Sequence, residues 1–566
     1  MCGIFALINN DNAITQRDLT ASFEKGRSRG PEFSILEKHD NIDIGFHRLA
    51  INGLNTESNQ PFDIANCLLI CNGEIYNFRE LAKENNLVPE TDSDCEIIIH
   101  MYRKFGIEYT LNILDGVFAF FLYDRTNKTA YAGRDPYGVR PLYMFEEAGN
   151  TGFASELKVL YDLVTDKSLI HQFPPGHYAV ISKDTVITRY TAFTFGNIMY
   201  ANKNEDHDNP SIVSRSIVDY LSYAVKKRVI GTTERPVACL LSGGLDSSLI
   251  AALVNKYIVY CNGNNINDKP VLKTFSIGLP GSEDLKYARI VADHIGSDHH
   301  EVVVSEEDFF NAIPEVIQAI ESYDTTTVRA SVGNYLIAKY IKANTDCKVI
   351  FNGDGADELM GGYLYMRKAP DAYEFDAECR RLLRDIHQFD VLRSDKSISS
   401  HGLEPRTPFL DRGWVEFYLS IDRQLRYKPT VKNCEKFLIR KAFTTVMPEL
   451  LPESILWRKK EAFSDGVSSL DKSWFQIIQE KIESTPFAKE TIEEYNKKNE
   501  IYGKDGKDGK DGKVHNKPTT TEQAYYRYIF NNRYLGCDHV IDYFWMPKYV
   551  DAKDASARTL SVYNQP

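Results

Sequence analysis

The sequence predicts a two-domain chain of mixed α+β and α/β class, with an N-terminal antiparallel αββα sandwich followed by a doubly wound parallel sheet. Three observations carry this. Between residues 117 and 156, apolar runs alternate with short polar turns, as in packed hairpins with few helices between them. Beyond residue 236, short β-branched and aliphatic runs alternate with helix-period stretches, the pattern of parallel strands covered by helices. Between these regions the polar run Ala201-Asn202-Lys203-Asn204-Glu205-Asp206-His207-Asp208-Asn209-Pro210 marks a boundary. The expected division is a first domain over 1–200, a second over 211–535 and a C-terminal tail over 536–566, and 566 residues leave room for it.

The first half opens with Cys2, which is an incidental small hydrophobe unless the initiator methionine is removed. With Met1 gone, the thiol and a free α-amine belong to one residue. An amine of pKa about 7.7 to 8 can then act as the thiol's general base. Ile42 to Ile51 alternates as a strand, and Cys67 to Asn77 reads as a strand running into a turn. At that strand end Asn72 and Gly73 offer a side-chain amide and a flexible backbone N–H, the parts of an oxyanion hole. Cys67 and Cys71, with an apolar spacer and no second pair, read as core thiols in preference to metal ligands. Thr91 to Glu96 opens a helix with a capping sequence. Val117–Asp124 and Thr129–Asp135 form one expected hairpin, and Pro141–Phe145 with Gly152–Glu156 another.

The second half is organised around Ser242-Gly243-Gly244-Leu245-Asp246-Ser247-Ser248, set between Val237–Leu241 and Leu249–Val254. Strand, glycine and serine loop, then helix is an anion site: glycines turn N–H groups toward a ligand, the helix start adds more, and hydroxyls donate as well. A serine-rich helix cap is the plainer alternative. The loop lacks the Lys-Ser/Thr ending of an ordinary P-loop, which disfavours a simple NTPase. Asp246 would repel phosphate unless a cation lies between them, so it reads as a Mg²⁺ ligand. Leu272–Pro280 and His299–Val304 follow as strands around a helix from Asp284 to Gly296. Lys348–Phe351 ends in Asn352-Gly353-Asp354-Gly355-Ala356-Asp357-Glu358, where Asp357 is the expected second Mg²⁺ ligand and a solvated turn the alternative. Gly503 to Lys513 repeats Gly-Lys-Asp three times without proline, which favours a flexible insertion over a collagen helix.

Composition excludes several classes. A net charge of −12 gives no basic excess for nucleic acid. No apolar run approaches about 18 residues, so no membrane span is expected. Ten scattered cysteines and no recognisable signal peptide point to a reducing, cytoplasmic setting.

Cys2-Gly3-Ile4-Phe5, Arg29-Gly30-Pro31, His47-Arg48-Leu49, Asn72-Gly73-Glu74-Ile75-Tyr76-Asn77, Ser93-Asp94-Cys95-Glu96, Phe118-Ala119-Phe120 and Gly133-Arg134-Asp135 resemble the N-terminal-nucleophile glutamine amidotransferase domain. Together with the Ser242 loop, the chain resembles the glutamine-hydrolysing asparagine synthetase family, whose second domain carries an ATP pyrophosphatase loop. The resemblance implies that Cys2 attacks glutamine, that Asn72 and Gly73 hold the oxyanion, and that Arg48, Glu74 and Asp94 grip the carboxylate and amino ends. It implies ATP at Leu240, Ser242, Gly243, Gly244, Asp246, Ser247, Ile277, Asn352 and Gly353. Aspartate is implied at Thr326, Thr327, Arg329 and Glu358, and Lys460 at the phosphates. Asp354 stands where well-known members carry glutamate and would act in handling ammonia or the acyl adenylate, and Ser28 stands where the family commonly has histidine. ATP and Mg²⁺ are the implied cofactors, glutamine and aspartate the other small-molecule partners, and a homodimer the implied assembly. A related amidotransferase or β-lactam-type synthetase activating another carboxylate is the competing enzyme reading. A silent regulatory or storage protein is the non-enzymatic one.

Overall fold

The computed structural model describes residues 1–9, 14–182, 185–190, 210–231, 233–261, 271–427, 435–460, 466–468, 472–489, 494, 497, 515–552 and 554–556. The 201–209 part of the expected boundary and the Gly-Lys-Asp repeat lie outside them.

Two six-stranded sheets build the first half. One runs in the order His171–Gln172, Tyr143–Glu147, Asn150–Ala154, Gly3–Ile8, Ile42–Arg48, Phe33–His39, and the other Thr185–Arg189, His177–Ile181, Thr129–Arg134, Gly116–Asp124, Cys67–Ile75, Phe62–Ile64. Neighbours are antiparallel throughout. Both expected hairpins are present, as Gly116–Asp124 with Thr129–Arg134 and Tyr143–Glu147 with Asn150–Ala154. Alternation along the strands separates their faces. Ile4, Ala6 and Ile8 join Leu68, Ile70, Ala119 and Phe121 in a core between the sheets. Phe5 and Leu7 face the helices Gln16–Glu24 and Leu157–Tyr161, while Leu69 and Phe118 face Ile97–Phe105. This is the expected αββα layering.

The second half holds a five-stranded parallel sheet in the order Asp298–Val303, Lys273–Gly278, Val237–Leu240, Val349–Phe351, Glu404–Arg406. Its two faces belong to different cores. Ala238 and Ile350 pack with the helices Ile313–Ile320 and Thr325–Asn344. Cys239, Leu241, Val349 and Phe351 pack with Pro210–Val229 and Leu245–Cys261. Strand order reverses between Val237–Leu240 and Val349–Phe351, and open α/β sheets bind ligands beyond the strand ends at such a reversal.

Part of the stretch expected as a tail is folded. Val540, Ile541 and Trp545 are buried, and the Trp545 N–H donates to Asp324 Oδ1 at 2.7 Å. The two halves meet across buried charge. Arg29 pairs with Asp395 at 2.8 Å, and Lys396 pairs with Glu321, whose carboxylate also accepts the Leu157 and Lys158 N–H groups at 2.9 and 2.8 Å.

Candidate active sites

The sandwich brings Cys2, Arg48, Asn72, Gly73, Glu74 and Asp94 to one small cavity of about 30 Å³. Asn72 Oδ1 accepts the Cys2 N–H at 3.0 Å, which leaves Asn72 Nδ2 buried without a hydrogen-bond partner. An amide donor fixed beside a thiol in a small cavity suits a developing oxyanion. Burial pushes the Cys2 thiol up, against the opposing effect of the nearby Met1 amine, so the thiolate has to be made by a base at the site. Arg29 Nε donates to the Cys2 carbonyl at 3.0 Å and fixes the first strand from behind.

Carboxylates dominate the rest of this cavity. Burial, followed by repulsion from Glu404 and Asp94, raises Glu74 well above the usual range. Asp94 is pushed up to about 6, chiefly by burial, although its Oδ2 accepts the Ile75 N–H at 2.6 Å. Arg48 faces the cavity, but its Nη1 donates to Asn55 O and Asn59 Oδ1 at 2.9 and 2.6 Å and its Nη2 to the Asn52 and Gly53 carbonyls.

At the reversal point of the parallel sheet lies a second cavity, of about 200 Å³. Leu240, Ser242, Gly244, Asp246, Ser247, Ile277, Asn352, Gly353, Asp354, Asp357, Thr326 and Lys460 all line it. The loop is held open by its own hydroxyls: Ser242 and Ser247 Oγ atoms lie 3.0 Å apart, and the Gly244 N–H donates to Ser242 Oγ at 3.3 Å. Gly243 does not line the cavity. It has φ +67°, and a Cβ there would meet Ala288 N at 2.4 Å, so it lets the loop turn against the next helix. A Cβ on Gly353 would lie 2.9 Å from both Asp246 Cβ and Ser247 N, which is why the two loops can close together.

Cations bind the two loops. Lys436 Nζ contacts Asp246 Oδ2 and lies 2.5 Å from Asp357 Oδ1, while Lys460 Nζ contacts Asp357 Oδ2. Burial opposes the charge on Asp357, but Lys436 and Lys460 outweigh it and hold the carboxyl well below its ordinary range. Asp354 pairs with Arg393 at 3.1 Å, yet burial and the neighbouring Asp390 lift it to about 6.

The expected aspartate residues divide. Thr326 lines the cavity and its Oγ1 is buried without a hydrogen-bond partner. Thr327, Arg329 and Glu358 do not line it. Thr327 Oγ1 and N–H donate to Asp324, capping the helix. Arg329 spends its fork on Glu522 at 2.6 and 2.8 Å and on Asp554 at 2.8 and 2.9 Å. Glu358 is buried behind Tyr363, whose hydroxyl donates to it.

Sequence reasoning missed Lys436, Arg458 and Glu404. Lys436 reaches a loop 190 residues away, and no local spacing announces that. Arg458 donates to the Ser242 carbonyl at 3.2 Å, pairs with Asp284 at 2.9 Å and stacks on Tyr287; its position two residues before Lys460 was the available signal. Glu404 comes from the parallel sheet, yet it lines the thiol cavity.

The chain matches the glutamine amidotransferase domain family over residues 1–210 and the asparagine synthase family over 216–377 and 367–523. It is 40% identical over 593 residues to the asparagine synthetase [glutamine-hydrolyzing] of Gallus gallus, covering 100% of this chain and 99% of that protein. The Homo sapiens protein of the same name is 40% identical over 584 residues, with the same coverage.

The chain belongs to the asparagine synthase family.

A solved structure, the glutamine phosphoribosylpyrophosphate amidotransferase of B. subtilis, aligns at 16% identity with TM-score 0.30, covering 53% of this chain and 81% of that chain. All parallel-sheet residues named for the larger cavity fall within the asparagine synthase matches, and the Cys2 motifs within the amidotransferase match.

The donor set can be tested against Mg²⁺. No group of three or more metal-ligating side chains occurs among the described residues. Asp246 and Asp357 converge on Lys436, however, and Asp246 Oδ1 is buried without a hydrogen-bond partner. Mg²⁺ is commonly held by one or two carboxylates plus substrate phosphates, so this pair fits a cation arriving with a nucleotide.

Proposed function

We propose that this chain makes L-asparagine from L-aspartate, ATP and glutamine. The observation that supports it best is that two motif sets, distant in sequence, close into two separate cavities of different chemistry. In the smaller one the Cys2 sulfur attacks the glutamine amide carbon, with Met1 removed and the freed α-amine taking the thiol proton. Asn72 and Gly73 hold the oxyanion, Glu74 and Asp94 the ammonium end, and Arg48 the carboxylate once it exchanges its loop partners. The C–N bond breaks to release ammonia and leave a thioester, which water cleaves to glutamate.

In the larger cavity the aspartate side-chain carboxylate attacks the α-phosphorus of ATP, giving β-aspartyl-AMP and pyrophosphate. Ammonia then displaces AMP. Leu240, Ile277, Asn352 and Gly353 enclose the nucleotide, and the Ser242 loop and Lys460 hold phosphate oxygens. Asp246 and Asp357 would hold Mg²⁺, which supplies charge neutralisation at the pyrophosphate when bound. Aspartate sits beside Thr326, and Thr327 acts from the helix start. Arg329 and Glu358 join on rearrangement of their present partners, and Asp354 orders the acyl end. The domain limits near 200 and 211, the dispensability of 503–513, a cytoplasmic location and a homodimer belong to the same reading. Cys2, Cys67, Cys71, Cys95, Cys239, Cys347, Cys379 and Cys537 are free thiols. No helix among the described residues is long and apolar enough to cross a membrane.

The test is incubation with ATP, Mg²⁺, aspartate and glutamine while asparagine, AMP and pyrophosphate are followed. Equimolar appearance of the three is the expected result. ADP in place of AMP would overturn adenylation, and pyrophosphate with another acid but not aspartate would select a different carboxylate substrate.

A further inference from the structure

The strand Glu404–Arg406 belongs to the parallel sheet, yet its side chains point at the other site. Its backbone pairs with Val349–Phe351, and the Arg406 carbonyl accepts the Asn352 N–H at 3.1 Å, at the edge of the nucleotide cavity. Glu404 lines the thiol cavity and lies 3.6 Å from the chain-start amine. Arg406 is 1% exposed; it pairs with Glu74 Oε2 at 3.1 Å and donates from Nε to Glu404 Oε1 at 2.9 Å.

We propose that this strand completes the thiol cavity, with Arg406 as a positioning residue that holds the Glu74 carboxyl group in place for the ammonium end of glutamine. The inference rests on the reading above in which Glu74 holds that ammonium.

The charge count argues for it. Glu74, Asp94 and Glu404 line one cavity of about 30 Å³. Like charges so enclosed cannot all ionise without a counter-ion. Arg48 is on the same wall but spends its hydrogen bonds on the 52–59 loop. Arg406 is the cation that touches Glu74, and it opposes the burial and carboxylate repulsion that raise that group more strongly than any other cation. Glu404 is held down to about 2, since Arg406, the Met1 amine and Arg140 outweigh its burial; once Met1 is removed, the two arginines remain. A glutaminase cavity therefore takes its charge balance from the synthetase sheet, and one strand supports both sites.

The test uses the full chain. Arg406→Gln should raise the glutamine KM roughly 30-fold or more, the scale on which truncating one partner of a buried charge pair acts. Ammonia-dependent asparagine synthesis, measured on the same preparation, should stay within about twofold, since no new charge enters that cavity. Arg406→Lys should recover part of the loss, and the acid limb of the glutaminase pH profile should move to higher pH in Arg406→Gln. In a Glu74→Gln background the Arg406 change should add little, because the two act as a unit. A wild-type glutamine KM and pH profile in Arg406→Gln would overturn the proposal. So would additive effects of the two changes, or equal loss of both activities in Arg406→Lys and Glu404→Gln. Failure of the parent reading looks different: there a Cys2→Ala chain would still consume glutamine.

Discussion

The two cavities balance buried charge differently. Around Cys2, carboxylates sit close together in a space of about 30 Å³, and Asp94 is pushed up to about 6 chiefly because it is buried. Around the Ser242 loop, a space of about 200 Å³ has lysines already seated on its carboxylates, and Asp357 is held well below the usual range. The first is small and gathers three carboxyl groups, which suits a ligand with a positive end. The second is shaped for polyphosphate, whose charge needs cations in place before it arrives. The difference teaches that one chain can run two chemistries at one pH by letting burial outweigh counter-charge at Glu74 and Asp94 in one site and counter-charge outweigh burial at Asp357 in the other.

The largest expected effect would split the sites outright. Cys2→Ala should cut glutamine-dependent synthesis on the order of 10⁶-fold, the scale of losing a covalent nucleophile, while ammonia-dependent synthesis persists. Loss of both would break the comparison at its root. The converse change is smaller, because Lys460 stabilises charge and forms no covalent bond. Lys460→Ala should lower ammonia-dependent synthesis on the order of 10³-fold and leave glutamine hydrolysis standing, assayed as glutamate release.

How much of this contrast was legible in the sequence depends on range. The Ser242 loop could be read because glycines, hydroxyls and two apolar runs lie within one short stretch, and the strand and helix expected on either side are Val237–Leu240 and Leu245–Cys261. Asn72 and Gly73, expected at a strand end, lie instead inside Cys67–Ile75, opposite Ala119 and Phe118, although Asn72 Nδ2 is buried without a hydrogen-bond partner. Lys436 could not be read, because its meaning comes only from meeting Asp246 and Asp357 in space. Arg329 shows the same limit from the other side. Its motif suggested a substrate face, but Glu522 and Asp554, far along the chain, hold its guanidinium. Local pattern specified elements and loops; long-range ion pairs decided which way the charged side chains turned.

A variant at the seam should touch both sites together, which sharpens the contrast by showing what the sites share. Glu321 and Lys396 are fully buried, and Glu321 also caps the start of Leu157–Tyr161. Glu321→Ala strands a buried ammonium and should cost about 3–5 kcal/mol. Denaturant unfolding should show that loss, and both activities should fail at the same lowered temperature. Independent failure temperatures would mean the halves unfold separately.

The smallest effect is the response to acid, and it follows from the opposed carboxylates. Asp94, raised to about 6 from an ordinary 3.8, binds its proton more tightly folded than unfolded. Acidification through that window therefore favours the fold at this residue, while ionisation above about 6 costs stability. Function runs the other way, since an ammonium is held only by the ionised form. Glutaminase kcat/KM should fall about tenfold per pH unit below a limb at or above about 6, set with Glu74, which is also raised. Asp357 stays charged throughout that range, because Lys436 and Lys460 outweigh its burial. Glutamate release measured between about pH 5 and 8 checks this, and Asp94→Asn should lower the plateau and shift the limb. A profile flat to about pH 5 would mean that counter-charge at Glu74 and Asp94 outweighs their burial, as it does at Asp357, and the two cavities would no longer differ in how they balance charge.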